Sequence, residues 1–107
     1  MTRISTHVLD AVSGTPAAGL AVALRGPGGE LIAEAVTDAD GRVGALVDGP
    51  LPAGEHVLGF ATGPWFAERG LEAFYPRVDV AFTVADRPHL HVPLLLSPFA
   101  YSTYRGS

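Results

Sequence analysis

Arg77-Val78-Asp79-Val80-Ala81-Phe82-Thr83-Val84, followed after Ala85-Asp86-Arg87-Pro88 by His89-Leu90-His91-Val92-Pro93-Leu94-Leu95-Leu96, is the stretch that decides the fold. In its first half Val78, Val80, Phe82 and Val84 face one way, while Arg77, Asp79, Ala81 and Thr83 face the other. That period of two belongs to a strand buried on one side. Asp86-Arg87-Pro88 supplies turn residues, so a second strand runs from His89 to Leu96. Ser97-Pro98 turns the chain once more, into a last strand expected to reach Arg105.

Working outward, residues 3 to 9 read as a first strand closed by the turn cluster Ser13-Gly14-Thr15-Pro16. Residues 20 to 25 and 31 to 37 form the next pair around Gly26-Pro27-Gly28-Gly29. Asp38-Ala39-Asp40-Gly41 leads into a short strand from Arg42 to Val47, and Pro50 and Pro52 interrupt the pattern before a strand from Glu55 to Ala61. Thr62-Gly63-Pro64 ahead of Trp65-Phe66-Ala67-Glu68-Arg69, with Gly70 behind, predicts one short helix with Thr62 as its capping residue. About eight strands and one helix result, and a two-sheet all-β sandwich is their natural packing.

Composition agrees. The chain has 107 residues, enough for one domain over positions 1–107, and 48% of them are hydrophobic against 17% charged. Thirteen Gly and nine Pro suit a protein that turns every ten residues or so. A net charge of -4 argues against nucleic acid or an anionic membrane as partner, since both recruit clustered cations. With no Cys there is neither a disulfide nor a thiolate nucleophile. The opening residues lack an apolar targeting core and no segment is long enough to cross a bilayer as a helix, so a cytoplasmic protein is expected.

Four histidines, His7, His56, His89 and His91, are the candidates for acid–base chemistry near neutral pH. His56 reads as a structural strand histidine. His89 and His91, two apart on a strand, project from one face. With His7 from another strand they leave two readings open, a Zn site with an open position and a metal-free acid–base site. Arg42 stands where a turn feeds a strand, suited either to holding a planar heterocycle or oxyanion, or to being an ordinary exposed charge. The tail Tyr101-Ser102-Thr103-Tyr104-Arg105-Gly106-Ser107 keeps its β pattern to the last residue, which would hold Tyr104, Arg105 and the Ser107 hydroxyl in fixed positions. No phosphate loop, nucleophile elbow or His-Glu-x-x-His is present.

Three blocks resemble one family. Ile4-Ser5-Thr6-His7-Val8-Leu9-Asp10 with Gly14-Thr15-Pro16-Ala17 is similar to the opening of the transthyretin-like hydrolases, and Thr37-Asp38-Ala39-Asp40-Gly41-Arg42 to their second block. His91-Val92-Pro93-Leu94-Leu95-Leu96-Ser97-Pro98 with the ending Tyr104-Arg105-Gly106-Ser107 is similar to their C-terminal signature. The resemblance implies a prealbumin-like sandwich of two four-stranded antiparallel sheets with one short helix. It implies a homotetramer with sites between paired dimers, hydrolysis of the cyclic amide of 5-hydroxyisourate in urate degradation, and no metal or other cofactor. Catalytic His7, Arg42, His91 and Ser107 follow from it, with His7, Arg42, Tyr104 and Arg105 on the substrate. The two histidines are interchangeable as base and acid at this level. Small-ligand carriers share the fold, and a non-catalytic carrier is the alternative function.

Overall fold

A computed structural model describes residues 1–107. Nine strands and one helix occur in the order β1 (Thr2–Asp10), β2 (Thr15–Pro16), β3 (Ala21–Arg25), β4 (Leu31–Val36), β5 (Arg42–Gly49), β6 (Gly54–Phe60), α1 (Thr62–Glu68), β7 (Val78–Val84), β8 (His89–Ser97) and β9 (Ala100–Thr103). They form two sheets, the first ordered β2-β1-β8-β9 with β5 also paired to β1, and the second ordered β4-β3-β6-β7. The expected sandwich with one short helix is present.

The first sheet has five strands rather than the expected four. β8 pairs with β1 from Arg3 to Asp10, so one side of β1 is filled. On its other side β5 covers Thr2 to His7 and the two-residue β2 covers Leu9 and Asp10. β5 and β2 thus occupy successive lengths of the same edge, and the sheet is never more than four strands wide. The sheet is also not purely antiparallel, because β1 and β8 run parallel. A parallel pair needs a long crossover, and here the whole of the second sheet and α1 lie between the two strands in the chain.

Alternation places the core between the sheets. Ile4 and Val8 of β1 and Leu90, Val92, Leu94 and Leu96 of β8 meet Val22, Leu24, Leu58, Phe60, Val78 and Val84 from the second sheet. The odd-numbered residues of β1 and β8 consequently point outward, and they include His7, His89 and His91. α1 seals the sandwich through buried Trp65 and Phe66. Trp65 Nε1 donates to Ala18 O at 2.8 Å, and the Arg69 guanidinium stacks 3.6 Å from the Trp65 ring.

Two local expectations are corrected. α1 begins at Thr62, with Ala61 at the N-cap and no side-chain cap; the Thr62 hydroxyl is buried without a partner. The last strand ends at Thr103 rather than Arg105. Its register nevertheless carries on, from Leu94–Thr103 to an isolated bridge between His91 and Gly106. Gly106 N donates to His91 O at 2.9 Å, so the next hydrogen-bonded position of the ladder sets Pro93 opposite Tyr104. Pro93 has no N–H to give, and the ladder breaks there.

Candidate active site

The Asp38–Gly41 turn delivers the first site residue. Asp38 Oδ1 accepts from the backbone N–H of Asp40 and of Arg42, each at 2.9 Å, and so folds the turn on itself. Gly41 has φ +73°, and a Cβ there would collide with the Val8 carbonyl. The turn therefore lies flat against β1, and Arg42 comes opposite His7.

Strand register then lays out the outer face of the first sheet in rows. In one row Arg42, His7 and Pro93 are successive cross-strand partners, and Tyr104 follows opposite Pro93. In the next, Ser5 pairs with His91 and His91 with Gly106. In the third, Asp48, Arg3 and His89 stand side by side. Gly106 lies so close to the His91 imidazole that any Cβ would strike the ring. The tail thereby clamps His91 from one side.

Ser5 holds it from the other. Its Oγ is 2.7 Å from His91 Nδ1 and 2.7 Å from His89 Nε2. His91 Nε2 is left as the nitrogen free for a ligand. Burial pushes the His91 pKa below 6.5, and electrostatic repulsion from the neighbouring His89, Arg42 and His7 acts in the same direction. His91 is thus a neutral imidazole at neutral pH. Neither the His7 ring nor the Arg42 guanidinium has a hydrogen-bond partner within the chain, although both occupy fixed strand positions. Such an array offers acid–base nitrogen atoms beside an unpaired cation, which is what hydrolysis of a planar amide requires.

Of the residues expected in a site, His7, Arg42, His91 and Tyr104 share this face. Arg105, opposite Val92, falls in the other alternation and lines a cavity of about 270 Å³ together with Phe82, Leu90, His91 and Tyr104. Ser107 lies one residue beyond the bridge, and no hydrogen bond fixes its hydroxyl. His56 is a core residue, 0% exposed, with Nδ1 3.1 Å from Gly54 O. No three His, Asp or Glu side chains are arranged to hold a metal ion. Sequence reasoning missed Ser5, because its pairing with both ring nitrogen atoms depends on the β1–β8 register.

Fold and site together define a class of small β-sandwich proteins that carry an imidazole–guanidinium array on the open face of one sheet. The chain belongs to the HIUase/Transthyretin family, whose model matches residues 4–106. It is 44% identical to a 5-hydroxyisourate hydrolase of Mesorhizobium japonicum, over 98% of this chain and 92% of that protein. The solved 5-hydroxyisourate hydrolase of Klebsiella pneumoniae superposes with a TM-score of 0.92 at 44% identity, over 100% of this chain and 94% of that one. Sea bream transthyretin in complex with thyroxine superposes with a TM-score of 0.89 at 32% identity, over 97% and 94%.

Proposed function

We propose that this protein hydrolyses the cyclic amide of 5-hydroxyisourate to 2-oxo-4-hydroxy-4-carboxy-5-ureidoimidazoline, a step of urate degradation. The observation that carries the reading is the row geometry: two imidazoles and a guanidinium without an internal partner converge on one open face. Relatives that share 44% of their residues with this chain bear the name of that activity. A carrier face has no need of a clamped, neutral imidazole beside an unpaired arginine.

Amide hydrolysis requires a base for the attacking water and donors for the developing oxyanion, each contributing roughly 10² to 10⁴ in rate. His7 and the Ser107 hydroxyl activate the water. Arg42 binds the substrate oxygen and takes up its growing charge, which its fixed place beside His7 favours. His91 delivers a proton from Nε2 to the departing ring nitrogen. Tyr104 contacts the substrate from the same row as His7 and Arg42, and Arg105 approaches it from the adjoining cavity that His91 and Tyr104 also line.

The active assembly is a homotetramer in the cytoplasm, with this face turned toward a second pair of subunits. Leu95, 38% exposed opposite Leu9 on the same face, supports burial there. The deciding experiment follows the ultraviolet decay of 5-hydroxyisourate, generated in place by urate oxidase, with and without the protein and in the presence of a chelator. Accelerated decay that survives chelation is expected. Decay at the spontaneous rate, with thyroxine bound at micromolar concentration, would make the protein a carrier. Activity lost with stoichiometric Zn would replace the metal-free mechanism.

A further inference from the structure

Ser5 is 6% exposed, and the roles assigned above leave it unused. Its hydroxyl sits between two imidazoles, 2.7 Å from His89 Nε2 and 2.7 Å from His91 Nδ1. A hydroxyl carries one proton, so it donates to one ring and accepts from the other. The two histidines therefore cannot choose their tautomers independently. When Ser5 donates to His91 Nδ1, His91 bears its proton on Nε2, and His89 donates to Ser5. When the hydroxyl reverses, His91 bears its proton on Nδ1 and its Nε2 is bare.

This coupling resolves a difficulty in the chemistry. His91 is neutral, and a neutral imidazole that gives up its Nε2 proton would become an imidazolate, a very poor product near pH 7. The loss becomes feasible when Nδ1 gains a proton at the same moment. Ser5 stands at the distance where that proton is available.

We propose that Ser5 is a positioning residue that couples His89 to His91 in a proton relay serving the departing nitrogen. The proposal rests on the hydrolase reading above. As the C–N bond of the substrate breaks, its electron pair stays on nitrogen, which takes the Nε2 proton of His91. His91 Nδ1 takes the Ser5 hydroxyl proton, and Ser5 Oγ takes the Nε2 proton of His89 in its imidazolium form. Each group passes one proton along, and the imidazolium and the developing nitrogen anion are both neutralised. His89 is half-exposed and regains its proton from solvent. The charged and titratable groups around His91 are His7 and Arg3 of β1, Arg42 and Asp48 of β5, His89 on its own strand, and Tyr104 and Arg105 of the tail.

The test combines kinetics with ¹⁵N NMR of histidine-labelled protein. Ser5→Ala is expected to lower kcat about 10²-fold, the low end of a general acid–base contribution, with KM nearly unchanged. Ser5→Thr, which keeps the hydroxyl, should recover most of that loss. His89→Gln leaves a hydrogen-bond partner for Ser5 but cannot shuttle a proton, so it should also lower kcat without disturbing the fold. In the wild type a proton inventory in H₂O–D₂O mixtures should be bowed, as more than one proton moves, and in His89→Gln it should be linear. NMR should show that Ser5→Ala shifts the tautomer balance of His91. Either a kcat within twofold of wild type for Ser5→Ala and His89→Gln, or an unchanged His91 tautomer in Ser5→Ala, would overturn the relay. A wild-type protein with no activity would overturn the hydrolase reading, whereas the NMR tautomer measurement tests the Ser5 coupling whether or not that reading stands.

Discussion

His7 and Arg42 are cross-strand partners with no internal hydrogen bonds to lose, so their side chains contribute little to folding. His7→Ala or Arg42→Ala should therefore lower turnover of 5-hydroxyisourate by about 10² or more while the melting temperature stays nearly constant. A variant of His7 with wild-type turnover would remove it from the site. His91 makes a second, pH-dependent prediction. Its folded pKa lies below 6.5, the value it takes in the unfolded chain, because burial and then the nearby cations disfavour its charged form. Between those two values the unfolded state binds the extra proton. Stability should fall as pH drops through 6.5 and stop falling from this cause below the folded pKa. Melting curves from pH 8 to 5 should lose that part of their slope in His91→Gln; an identical slope in the variant would mean that His91 is not the titrating group. At this scale His7, Arg42 and His91 were legible in the sequence because their residue types are suited to the chemistry. Ser5 was not, since a serine next to a histidine block carries no chemistry until a neighbouring strand brings two rings to its oxygen.

Among the elements, β7 and β8 behave as their alternation predicts, because every inward position of both is apolar and only one register buries them. α1 does not. The Thr62-Gly63-Pro64 segment has the composition of a helix cap, yet Thr62 is 1% exposed and its hydroxyl points to no acceptor. Close packing explains it: Gly63 approaches the Pro76 backbone to within 2.6 Å of where a Cβ would stand, and its N–H donates to Pro76 O at 3.1 Å, so the segment is drawn inward. Thr62→Val, which keeps the shape and removes the orphan hydroxyl, should raise stability by about 1 kcal/mol, or roughly 4 °C in Tm. A destabilised variant would reveal an acceptor for that hydroxyl. In the tail, the β pattern of residues 101 to 105 was readable, and the break after Thr103 follows from Pro93 on the facing strand. Only the pairing partner shows where a missing N–H matters.

For the whole molecule the proposed assembly is a tetramer, with mass about four times the 11.1 kDa of one chain. Leu95 lies on the face that carries the site, so Leu95→Glu would place a charge where two such faces meet. Sedimentation should show the variant as a dimer, and its activity should fall together with its mass. A variant that dissociates but keeps full activity would place the complete site within one subunit.

What the amino-acid sequence determined by itself was the class of fold, because alternation, turn chemistry and apolar content are local properties that any strand expresses wherever it pairs. It also named most of the groups that are proposed to react, since histidine and arginine carry their chemistry with them. The tertiary structure alone decided the parallel β1–β8 pairing, the shared edge of β5 and β2, the Ser5 bridge and the Gly106 clamp on His91. Each of these joins residues far apart in the chain, and such contacts are selected by the burial of the whole core rather than by any local preference.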